Sequence, residues 1–79
     1  MALPKSPLSW HNLAIAQGRN GEIAMANLSL AELALLQNKM QKAVLHANRA
    51  KKGLKENTAA YQRSLDIIKI CKKTGKKRC

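Results

Sequence analysis

A chain of 79 residues with 15 basic and 4 acidic side chains, net charge +11, makes at most one small domain. At that length about 60–65% of the unfolded surface is buried and roughly 4–12 kcal/mol holds the fold, too little for a deep catalytic pocket. No run approaches the roughly eighteen apolar residues of a membrane span, and "MALPKSPLSW" lacks the long apolar core of a secretory signal.

Ala, Leu, Lys and Asn dominate, β-branched residues are sparse, Phe is absent, and Trp10 and Tyr61 are the only aromatics, so the chain is expected to be helical. "LPKSPLS" predicts a helix start, with Ser6 as the cap and Pro7 in the first turn, where its missing N–H costs nothing. The first helix runs to about Gln17, and Trp10, Leu13, Ala14 and Gln17 share a face at i, i+3, i+4, i+7. "GRNG" reverses the chain, since Gly18 and Gly21 tolerate left-handed backbone and Asn20 suits a turn.

The second helix, about Glu22 to Gln37, is apolar nearly all round. Only Asn27, Ser29 and Glu32 are polar in its middle, which predicts neighbours on more than one side and a central place. "QNK" at 37–39 reverses the chain again, with Asn38 in the left-handed C-terminal position. The third helix, about Met40 to Lys52, buries a stripe of Met40, Ala43, Val44, Ala47 and Ala50 and ends at Gly53. In "KENT", Asn57 or Thr58 caps a fourth helix, about Ala59 to Cys71, with Tyr61, Leu65 and Ile68 on one face and Ile67 and Ile70 beside it. The aperiodic, like-charged "KKTGKKRC" is expected to be disordered. The organisation expected is an extension at 1–6, a helical domain at 7–71 and a Lys-rich tail at 72–79.

The basic character is concentrated at the end: "KICKKTGKKRC" holds six of the fifteen basic residues and no acid. Lys51, Lys52, Lys55, Lys72, Lys73, Lys76, Lys77 and Arg78 are the candidate phosphate contacts, and such contacts are nonspecific and salt-dependent. Base stacking needs exposed aromatics, which the sequence does not offer. Cys71 and Cys79 match no zinc spacing; a small packed side chain plus a free thiol is the plain reading, and closure of a short loop in an oxidising compartment the other. Glu32, in an apolar stretch, should pair with Lys or Arg from a neighbouring helix or occupy a wet strip, and Asp66 is placed to pair with Arg63 at the surface. No H-E-x-x-H, no phosphate-cradling Gly motif and no nucleophile with an adjacent base occurs, so no catalytic, metal or cofactor residue is expected and enzyme activity is excluded from the reading.

Trp10 stands three residues before a Leu-Ala pair, with Gly21 and Ala26 beyond. Antiparallel helices approach closely where one offers a small side chain and the other a large one. Trp10, Leu13, Ala14, Gly21, Ala26 and Leu30 match the spacing of the tetratricopeptide repeat, with Gln17 in the place of Tyr. Asn38, Met40, Ala43, Ala47 and Ala50 repeat it in weaker form, offset by about half a repeat. The fold class expected is therefore all-α, antiparallel helical hairpins, tetratricopeptide-like, with a plain four-helix bundle as the alternative. Trp10, Leu13, Ala14, Ala26, Leu30 and Ala43 are the packing residues. Trp10→Ala should cost about 3–5 kcal/mol of unfolding free energy, read by denaturant titration.

"LAIAQGRNG", "LAELALLQN" and "YQRSLDI" further resemble the C-terminal tail of bacterial periplasmic zinc metalloproteases, which join an HExxH domain to a tetratricopeptide tail and are linked to outer-membrane β-barrel assembly. The likeness spans about Pro7 to Ile68. It implies a periplasmic, non-catalytic fragment, isolated module or truncated gene product, since the protease motif is not in these residues. The partner expected is a protein or peptide, a protease domain or a second copy. His11, Asn12, Gln41, His46, Asn48 and Arg49, polar residues of the first and third helices, are the candidate protein contacts. The alternative function is nonspecific nucleic-acid binding through the Lys-rich end.

Overall fold

The computed structural model describes residues 7–73, with side chains from 8 to 70. The expected Ser6 cap, the extension at 1–6, the thiols of Cys71 and Cys79, the side chains of Lys72 and Lys73, and the tail carrying Lys76, Lys77 and Arg78 lie outside those residues. Four helices follow in order: α1 (Pro7–Arg19), α2 (Ile23–Leu36), α3 (Met40–Gly53) and α4 (Ala59–Lys73), and no strand occurs among the described residues. The chain is all-helical and packs as helical hairpins.

Two turns with one hydrogen-bonding scheme make those hairpins. After α1, the Glu22 N–H donates to the Gln17 carbonyl at 2.9 Å and the Gly21 N–H to the Gly18 carbonyl at 3.1 Å. After α2, the Lys39 N–H donates to the Ala34 carbonyl at 2.8 Å and the Asn38 N–H to the Leu35 carbonyl at 3.0 Å. This pair of bonds is the Schellman closure, which needs a left-handed residue at its hinge. Gly21 (φ +79°) and Asn38 (φ 59°) supply it, the two residue types that enter that region most cheaply. Gly18, expected in the turn, belongs to α1 instead, which runs two residues past Gln17. One left-handed residue suffices for the reversal, so the second glycine stays helical. The α3–α4 link is built differently: α3 continues through Gly53 and ends on extended Leu54. Thr58 then caps α4, its Oγ1 accepting from the Tyr61 N–H at 3.2 Å and donating to the Lys55 carbonyl at 2.7 Å.

α2 touches all three other helices; α3 touches α2 and α4; α1 touches only α2 among the described residues. Because α1 never reaches α4, the helices form an open row rather than a closed four-helix bundle. The molecule measures 36 × 28 × 19 Å, about two helices thick. The main core lies between α2, α3 and α4: Leu28, Ala31, Ala34, Ala43, Ala47, Ala50 and Ile67, with Met25, Leu35, Leu54, Ala60 and Ile68 against it. Five alanines with no more than 5% exposure face one another from α2 and α3, letting the backbones approach. The helices also come close at Gly53, where an added Cβ would lie 2.8 Å from the Ala24 Cβ. α1 adds Trp10, 7% exposed, and Ala14 on its α2-facing side, with Leu13 and Gln17 half-buried beside them.

The inner face of α4 differs from expectation. The spacing points to Tyr61, Leu65 and Ile68, yet all three are half-buried, and the fully buried residues are Ser64 and Ile67. A small residue allows the closer approach, and the Ser64 hydroxyl satisfies itself by donating to the Tyr61 carbonyl at 2.6 Å.

Candidate functional site

The three polar residues in the middle of α2 each reach a different helix. The Ser29 hydroxyl, buried, donates to Gln17 Oε1 of α1 at 2.6 Å. Asn27 Oδ1 lies 3.4 Å from His46 Nδ1 of α3, a long contact in which the ring N–H is the donor. Glu32 takes Arg63 of α4 in a two-pronged pair, Nε to Oε2 at 2.9 Å and the terminal nitrogen to Oε1 at 2.5 Å. Those bonds raise the Arg63 guanidinium's pKa; burial opposes the rise, and the charges of Glu32 and Asp66 add to it. The expected Arg63–Asp66 surface pair is thus replaced. Arg63 turns to the buried Glu32, where a charge-assisted pair gains more than in water, and Asp66 is left with a 3.5 Å contact from Gln62 Nε2.

A second feature of α2 is a stripe that the described helices leave partly in water. Ile23, Leu30, Leu33 and Gln37 recur at helical spacing along it; Ile23 is 60% exposed, the two leucines are half-buried and Gln37 is exposed. At the Gln37 end a groove of about 170 Å³ opens between this stripe and α3, lined by Leu30, Leu33, Ala34 and Gln37 below and by Lys39, Lys42 and His46 on the α3 side. Lys39, Lys42, His46 and Arg49 follow one another at spacings of three and four, which makes a basic edge along α3. Burial lowers the His46 pKa, and the neighbouring charges of Arg49 and Lys42 lower it further, so the imidazole stands in a positive field. Glu32 is occupied by Arg63, and Glu22 stands at the N-cap position, the far end of α2, so no acid of α2 neutralises this edge.

The expected contact residues separate into two groups. Gln41, His46, Asn48 and Arg49 lie on α3, and of these His46 lines the groove, with Arg49 a turn further along the same edge. His11 and Asn12 are exposed on α1, which does not meet α3, so the helices do not bring the two groups together. Leu30, expected in packing, is half-buried and forms part of the groove floor, and Leu33, Lys39 and Lys42 join it without having been singled out. Lys51, Lys52 and Lys55 surround the C-terminal end of α3, away from the groove.

Among the described residues no group of three His, Cys, Asp or Glu side chains is placed to hold a metal ion, and no helix is long and apolar enough to cross a membrane. No family profile, curated protein or solved structure matches the chain.

Proposed function

We propose that this chain is a non-catalytic helical-hairpin module that holds another polypeptide. The observation that carries the reading is the uncovered leucine stripe of α2 beside the basic edge of α3. Contiguous apolar surface rimmed by polar groups marks interaction sites in small proteins. Tetratricopeptide-like architecture fits inside this reading: the hinge residues Gly21 and Asn38 are 17 positions apart, half of the 34-residue repeat, and the helices stack as an open row. The likeness to a metalloprotease tail belongs to the same reading and would make a zinc-protease domain the polypeptide held.

The test is a binding titration of the full chain against peptides and against duplex DNA, at low and at moderate salt. Peptide binding retained at moderate salt supports the module. Binding confined to the duplex and abolished by moderate salt would overturn it in favour of a nonspecific phosphate binder.

A further inference from the structure

We infer that the occupant of the α2–α3 groove is an acidic amphipathic helix from a partner protein, seated lengthwise along the uncovered stripe of α2. The inference rests on the module reading above and names the partner's chemistry.

Three observations converge on it. The floor is aliphatic: Leu30 and Leu33 are half-buried and line the groove, and Ile23 continues the stripe at 60% exposure. A helical partner meets such a floor with apolar anchors at i, i+3, i+4 and i+7. α2 has 14 residues, about 21 Å, enough for anchors over three to four turns. The wall is cationic. Lys39, Lys42 and Arg49 share the edge with His46 at spacings of three and four, and no acid of α2 answers them. A partner bearing Glu or Asp beside its leucines would satisfy the wall and the floor together. Lastly, the chain fills the other side of α2 in this way with its own α4, which lays Ile67 into the core and meets Glu32 with Arg63. The open side has the opposite sign of charge at its edge and thus calls for a helix of the opposite sign.

The same charge argues against the two other occupants. A second copy would bring +11 to meet +11. A nucleic acid would be drawn by the lysines but has nothing to place on leucines, and the aromatics that stack bases are here buried Trp10 and half-buried Tyr61.

The experiment uses the full chain and three fluorescein-labelled peptides of 14 residues, the length of α2: one with leucines at i, i+3, i+4 and i+7 on a Glu-rich background, one of the same composition scrambled, and one with Lys in place of Glu. Anisotropy is read for the parent chain, Lys42→Glu, Leu33→Gln and, as a distant control, Lys69→Glu on α4, each checked for helicity by circular dichroism. The acidic patterned peptide should bind best. Lys42→Glu, on an exposed side chain that folding does not need, should weaken it by about tenfold and strengthen the Lys peptide, Leu33→Gln should weaken it by a similar factor, and Lys69→Glu should change it by less than about twofold. If the scrambled peptide binds equally, or Lys69→Glu matches Lys42→Glu, the groove assignment fails while the module reading survives on the binding itself. If no peptide binds and a DNA duplex does, both fall. A dimer seen by sedimentation and dissolved by Leu33→Gln would hand the groove to a second copy and overturn the inference.

Discussion

The two sides of α2 are made from the same few residue types and end differently. Towards α3 and α4 it presents Leu28, Ala31, Ala34 and Glu32, all buried, the carboxylate met by Arg63. Away from them it presents Ile23, Leu30 and Leu33, which stay partly in water. Side-chain hydrophobicity does not distinguish these sides. What distinguishes them is which side α3 and α4 pack against: among the described residues α4 is the only helix after α3, and it joins the closed side. An aliphatic surface left half open in this way adds less to the fold than its buried counterpart.

The strongest way to break this contrast is to delete equal bulk from each side. Ile67→Ala, on the closed side, removes a fully buried side chain and should cost about 2–5 kcal/mol. Leu30→Ala, on the open side, exposes less new cavity and should cost about 1 kcal/mol. Urea titrations of the two variants check the ranking, and equal losses would mean the stripe is core rather than surface.

Gly53→Ala probes how tightly the closed side is shut. Alanine in a helix end gains up to about 1 kcal/mol over glycine, but here its Cβ would lie 2.8 Å from the Ala24 Cβ. Overpacking at that spacing costs about 1–3 kcal/mol and wins. Unfolding curves should show net destabilisation, and adding Ala24→Gly should recover most of it. Arg63→Met asks the electrostatic version of the question. It strands the Glu32 carboxylate, whose side chain is only 10% exposed, and should cost about 1–2 kcal/mol, reduced because Arg63 itself is 42% exposed. Replacing Glu32 by Met as well should restore stability, since a paired buried charge is seldom better than an apolar pair.

The fold was legible where a residue type has one cheap use. Gly21 and Asn38 stand at the only described left-handed positions, and Thr58 caps α4, because few side chains can fill those roles. The central place of α2 followed from its near-uniform apolarity, and a Lys or Arg partner for Glu32 was one of the two readings its apolar surroundings left, a wet strip being the other. Which cation was not legible: Arg63 is 31 positions away, and local spacing paired Arg63 with Asp66 instead. Ser29 and Gln17 were invisible as a pair for the same reason. The groove was read least well. Leu30 and Leu33 look like core leucines in sequence, and only the route of α4 to the far side of α2 reveals them as surface.

The smallest effect, and the one that tests the open side without deleting bulk, is the titration of His46. Its folded pKa lies below the unfolded 6.5, through burial first and then through Arg49 and Lys42. The unfolded chain therefore takes up a proton before the folded one does. The contribution of His46 is fully present above pH 6.5 and is lost as pH falls through 6.5 towards the lowered folded value. Stability should accordingly rise with pH across that window, in thermal or urea unfolding, and His46→Gln should flatten the slope. Added salt should flatten part of it, because it screens Lys42 and Arg49, and leave the burial part in place. A slope of opposite sign would mean that an anion, not a positive field, faces the imidazole, and the basic edge would lose its main electrostatic support.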